Sequence, residues 1–199
     1  MTSPIDWNDP PPDGWTTEDL ARLSDGGQRR ELIDGVIPVG PEPGPLHEAV
    51  GRLLCARLQE ICPPKYEVSQ GVPIRFTRRR CLIPDVEVVL RPSAPRRTSW
   101  FAPRDVVIVA EIVSPTSLVM DRITKPALYA AAGIPYYWRV ETDGGIEVST
   151  YRLDLDDETY RQTGEFRDTI DLVAPWPIKI PVGEIAPSSV HQLDRGGQQ

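Results

Sequence analysis

The stretch RDVVIVAEIVSPTS, residues 104–117, carries an apolar run from Val106 to Ala110 that reads as a buried strand. Near its end the run delivers a carboxylate, Glu111, and Ser114-Pro115 then stops it. A buried carboxylate without a partner costs several kcal/mol or takes up a proton. The rest of the chain therefore has to bring a cation, a metal ion or a proton to Glu111.

Two neighbouring segments offer that company. IPDVEVVL, residues 83–90, reads as a second strand, with Val86, Val88 and Leu90 on one face and Asp85, Glu87 and Val89 on the other. Paired strands lie ~4.8 Å apart. If 83–90 pairs with 106–112, Asp85 and Glu111 can meet at one metal ion, and Mg²⁺ needs only one or two protein carboxylates. DRITKPALYAAAG, residues 121–133, holds Lys125, one of only three lysines in the chain. Proline is accepted in a helix's first turn, so Pro126 predicts a helix over about 125–132, capped by Thr124 and stopped by Gly133. Lys125 at such a helix start could reach back to the end of strand 106–112, where the helix dipole also favours an anion such as phosphate.

The remaining segments complete a mixed α/β pattern with helices packed on a sheet. Trp15-Thr16-Thr17-Glu18-Asp19-Leu20 reads as the start of a short helix, with a threonine as cap and acids in its first turn, and that helix is expected to end near Asp25-Gly26-Gly27. ELIDGVIPV, residues 31–39, is a hairpin signal turning at Asp34-Gly35. Residues 46–61 place Leu46, Val50, Leu53, Leu54, Leu58 and Ile61 on one helical face, and Cys62-Pro63-Pro64 ends it. Residues 66–76 alternate as one strand, in which Gly71 and Pro73 point to a bulge or a sheet edge. Strands at 136–141 and 146–153, followed by TYRQTGEF, make a C-terminal β-meander. One domain is expected over residues 15–183, between a loose segment 1–14 and a loose tail 184–199.

Composition narrows the class of activity. No apolar run approaches the ~20 residues of a membrane span, and the start of the chain has no apolar signal region. Three cysteines and two histidines at unrelated spacings form no zinc pattern, and point to reduced thiols in a cytoplasmic protein. The net charge of −7 argues against a protein coated in phosphate-binding surface. Yet residues 75–104 hold eight arginines against two acids, Asp85 and Glu87, a basic zone compatible with a phosphodiester and equally with a solvated surface.

PDVEVV, AEIVSPTS, DRITKPALY and AGIPYYWRV occur in this order, with ELIDG upstream. Together they resemble the Uma-two-type putative restriction endonuclease family of the PD-(D/E)XK nuclease superfamily, over about residues 15–180. The resemblance implies a restriction-endonuclease-like mixed β-sheet flanked by helices, with an N-terminal hairpin and a C-terminal β-meander. It implies a Mg²⁺-dependent endonuclease (Mn²⁺ in its place) acting on nucleic acid, DNA first, as a homodimer without a membrane. Asp85 stands as the acid of "PD" and Glu111 as that of "(D/E)XK"; with the Ile112 carbonyl they would hold the metal. Lys125 stands for the superfamily lysine, moved to the following helix, because Val113 occupies the usual place and Ser114 follows it. Glu31 matches an N-terminal acid beside the metal site. His47 is weighed towards a structural cap, and Tyr129, at i+4 from Lys125, towards packing. Two other classes stay open: a non-catalytic nucleic-acid-binding or regulatory module on the same fold, and a scaffold self-associating through the meander.

Overall fold

A computed structural model describes residues 10–22, 30–39, 43–92, 98–115 and 117–187. A short helix α1 (Thr17–Leu20) is followed by the long helix α2 (Pro45–Ile61). Then come β1 (Tyr66–Ser69), β2 (Ile74–Thr77), β3 (Arg80–Leu82), β4 (Val86–Leu90) and β5 (Val106–Ile112). Helix α3 (Lys125–Ala131) crosses to β6 (Tyr136–Glu141), and β7 (Glu147–Asp154), β8 (Thr159–Phe166), β9 (Thr169–Leu172) and β10 (Ile178–Pro181) follow.

Six strands form one sheet in the order β1-β4-β5-β6-β7-β8. Only the β5–β6 pair is parallel, because only there does a helix carry the chain back over the sheet. The other pairs are antiparallel. Every residue of β5 is buried, as its unbroken apolar run requires of a strand covered on both faces. One face packs Val86, Val88, Ile108, Ala110 and Ile112 against Val50, Leu54 and Leu58 of α2, which closes with Trp176 and Ile178. The other packs Val89, Val109 and Tyr137 against Tyr129 of α3. Each of these large side chains contributes about 1.5–3 kcal/mol of burial.

Three expectations are corrected. Residues 66–76 are two strands, not one: at Gly71 the backbone turns to φ +67, a region costly for other residues, and Pro73 follows. The chain leaves β1 in the main sheet and pairs β2 with β3 in a separate hairpin. The Asp34-Gly35 turn forms with both φ positive, yet the flanks make single bridges, Ile33 to Val36 and Leu32 to Cys81, instead of strands. At Gly35 the φ of +89 is what favours glycine in this turn. Finally, Lys125 is not a free helix start: a π-helical turn, Met120–Thr124, runs straight into α3, and Thr124 is helical and makes no side-chain cap.

Thr16 does cap α1, in a reciprocal box with Asp19. That helix ends at Leu20, with Ala21 as its C-cap, short of the end expected near residues 25–27. Much of the segment 1–14 and most of the expected C-terminal tail lie outside the described residues. Ile185, within the span expected to be loose, is fully buried. No helix among the described residues is long and apolar enough to cross a membrane.

Candidate active site

Glu111 is 1% exposed, and its two oxygens meet two different donors. Lys125 Nζ lies 2.9 Å from Oε2, and Tyr129 Oη donates to Oε1 at 2.5 Å. The cation that makes the buried acid tolerable comes from the next helix, as the sequence suggests, but by another route. Pro126 lies in the interior of a continuous helix, where its ring would clash with the carbonyl four residues back. The π turn relieves this: the Lys125 N–H donates five residues back, to the Met120 carbonyl. Pro126 has no N–H to continue that pattern to the Asp121 carbonyl, and the Tyr137 hydroxyl donates to it instead. Asp121, Lys125 and Tyr129 consequently all turn towards the sheet and are buried. Lys125 therefore owes its place to packing and not to a helix terminus, and the dipole argument for a phosphate at that point falls away.

Three carboxylates surround the Lys125 ammonium: Glu111 at 2.9 Å, Glu31 at 3.1 Å and Asp121 at 3.6 Å. An ammonium has three N–H groups, so the three acids can engage all of them. Glu31 Oε1 also accepts from the Ile83 N–H at 2.8 Å, which fixes the N-terminal segment beside the start of β4. Asp121 is steadied through Ser117, whose Oγ in turn accepts from the Ser114 N–H and hydroxyl at 3.0 and 2.9 Å.

Asp85 enters from the neighbouring strand. Val86 pairs with Ala110, so one step outward Asp85 stands across from Glu111. Its Oδ2 accepts from the Ile112 N–H at 2.8 Å, taking the place of a backbone carbonyl at the end of the ladder. His47, in the first turn of α2, puts Nε2 3.1 Å from the same oxygen. Val113, at the superfamily's lysine position, is apolar and buried, and its N–H continues the sheet to the Val140 carbonyl at 2.8 Å. The structure thus gathers Glu31, Glu111 and Lys125 in direct contact, with Asp85 on the adjoining strand end.

The electrostatics follow from an excess of acid. Burial pushes the Glu111 carboxyl well above the ordinary range; Lys125 opposes this, while Asp85, Asp121 and Glu31 add to it. Asp121 is raised for the same first reason. Burial would lower Lys125, but the four surrounding acids outweigh it and keep the ammonium charged well above its usual limit. Burial likewise opposes a charged His47, yet the bond and charge of Asp85 raise the imidazole overall. Four acids face one lysine, a surplus of negative charge whose donors are all oxygens. Such a set fits a hard divalent cation, which takes carboxylate, carbonyl and water oxygens. Among the described residues no three His, Cys, Asp or Glu side chains converge at metal-ligand spacing; Lys125 occupies the point between the acids.

Sequence reasoning missed Asp121 and read Tyr129 as packing. The Asp121–Lys125 spacing of four was a legible signal, since such pairs adjoin on a helix. The basic zone is partly neutralised at home: Arg75 and Arg78 pair with Glu18, and Arg80 with Asp34 at 2.6 Å.

Residues 17–181 match the model of a family described as Uma2, putative restriction endonuclease. Among solved structures, the chain is similar to a putative nuclease belonging to DUF820 from Anabaena variabilis ATCC 29413. That crystal structure is 19% identical in sequence, with a TM-score of 0.62 over 85% of this chain and 96% of its own. At this identity the likeness is one of fold. No curated protein matches.

Proposed function

The chain belongs to the Uma2 putative restriction endonuclease family, and from that premise we propose that it is a Mg²⁺-dependent endonuclease hydrolysing phosphodiester bonds of DNA. The observation that carries the reading is the buried Glu111 carboxylate, with Lys125 Nζ 2.9 Å away and Asp85 on the paired strand end. Asp85, Glu111 and the Ile112 carbonyl would hold the metal, and Mn²⁺ would serve in its place. When bound, the ion lowers the pKa of a water and offsets charge on the phosphoryl oxygens.

The chain's own residues account for the rest. Tyr129 holds Glu111 in one orientation through its short bond to Oε1. Lys125 releases one of its three acids when a phosphate oxygen arrives, and its compact charge then faces the scissile group. Glu31 and Asp121 keep the ammonium in place during that exchange. His47 fixes Asp85 through Oδ2. The proposal extends to a cytoplasmic setting, in keeping with three free thiols. It extends also to a homodimer through β8, an edge strand of the sheet that a second copy could pair with.

Purified protein incubated with plasmid, linear duplex and single-stranded DNA and with RNA, in Mg²⁺, Mn²⁺ or EDTA, tests the reading. Cleavage that needs a divalent ion and is lost in Asp85→Asn supports it. Nucleic-acid binding with no cleavage in either ion would favour the non-catalytic module instead.

A further inference from the structure

Beside the acid cluster lies a cavity of about 480 Å³, walled by Arg30, Arg75, Trp100, Ile83, Thr17 and Ala21 among others. Its volume falls within the usual range for small-molecule sites. Two of its walls adjoin the cluster directly. Ile83 gives its N–H to Glu31 at 2.8 Å, and Arg30 is the residue before Glu31. On the opposite wall the Arg75 guanidinium carbon lies over the Trp100 ring, 5.6 Å from its centre, and Glu18, on the same lining, pairs with Arg75. That wall is fixed by backbone bonds, Arg75 N–H to the Phe101 carbonyl at 2.9 Å and Phe101 N–H to the Pro73 carbonyl at 2.8 Å. The Thr17 hydroxyl, on the same lining, is buried and without a hydrogen-bond partner among the described residues.

An indole stacks nucleobases, which bind protein through their faces once they are unpaired, and an arginine–carboxylate pair beside it offers donors and acceptors to a base edge. We propose that this cavity takes an unpaired base of the strand whose phosphate enters the Glu111–Lys125 cluster. The protein would then act on single-stranded or locally opened nucleic acid in preference to closed duplex. The inference rests on the nuclease reading above and adds a substrate class to it. A closed duplex keeps its bases stacked and could not fill the cavity without flipping one out, at a cost in unstacking.

The test is fluorescence anisotropy with a labelled single-stranded oligonucleotide and a hairpin duplex of the same length, with Ca²⁺ in place of Mg²⁺. The wild-type protein is expected to bind the single strand more tightly. Trp100→Ala should weaken single-strand binding about ten-fold or more, as loss of one stacking platform does, and should leave duplex binding within about two-fold. Ala21→Phe supplies a second variant, because Ala21 is exposed and its new ring fills the cavity without disturbing the core. Thermal melts confirm that each variant is folded. Single-strand binding unchanged in Ala21→Phe, or tighter binding of duplex by the wild type, overturns the base pocket alone. A wild-type protein that binds neither oligonucleotide overturns the nuclease reading and the pocket with it.

Discussion

Replacing Lys125 by methionine removes one ammonium from a cluster that holds Glu31, Glu111 and Asp121 within 3.6 Å of it. The methionine keeps the length of the side chain, so the loss is electrostatic and not a cavity. Breaking a buried ion pair from one side costs about 3–5 kcal/mol, because the remaining charge stays desolvated. In a domain of this size 1 kcal/mol moves the melting temperature by about 2–4 °C. The variant should therefore melt roughly 6–20 °C lower at pH 8.5. The loss must shrink in acid. A carboxyl whose folded pKa lies above its unfolded value stabilises the fold below the unfolded value, and that stability is lost as pH rises through the folded one. Glu111 is already raised in the wild type, and without Lys125 it rises further. At pH 5 it takes up a proton instead of remaining an unpaired anion, so the deficit should fall to about half or less. Adding Glu111→Gln to the variant should restore part of the stability at pH 8.5. Melting curves of the three proteins at both pH values decide the matter. A deficit under about 2 °C at pH 8.5, or one equally large at pH 5, would refute the view that Lys125 compensates buried carboxylates.

Tyr129→Phe leaves Glu111 Oε1 without its hydroxyl donor, and should cost about 1–3 kcal/mol in chemical denaturation while raising the Glu111 pKa further. Tyr137→Phe orphans the Asp121 carbonyl that Pro126 cannot serve and should cost a similar amount; no loss would mean another donor satisfies the π turn. The His47–Asp85 contact contributes stability that is full below the ordinary imidazole pKa and fades as pH rises through the raised one. His47→Ala should thus lose stability near pH 6 and little above the raised pKa, which melts across pH 5.5–9 would reveal. Mg²⁺ at a hundred times its dissociation constant should stabilise the wild type by about 2.7 kcal/mol, and should leave the melting temperature of Asp85→Asn unmoved.

The parts of this site that were legible in the sequence are those whose chemistry is out of place. Glu111 in an apolar strand and Lys125 in a chain with three lysines both contradict their surroundings or the composition, and such contradictions show without coordinates. Asp121 showed only in its spacing of four from Lys125, and Tyr129 lies in a helical pattern where an aromatic is ordinary, so its periodicity does not separate it from the core. The π turn is invisible for a different reason. Pro126 has a favoured place at a helix start, and a bulge that admits it to the interior depends on Tyr137 from the strand that follows the helix. The break between β1 and β2 was marked by Gly71 and Pro73, but a bulge and a strand change use the same residues. Only the pairing of β2 with β3 decides between them.

The central claim is that the Asp85–Glu111–Lys125 cluster hydrolyses a phosphodiester. Its most direct test is the cleavage rate of one nucleic-acid substrate in Mg²⁺ by the wild type and by Glu111→Gln, matched for melting temperature. The account predicts a rate lower by at least about 100-fold in Glu111→Gln, as befits loss of a charge acting on the transition state. Equal rates in the two proteins would contradict it.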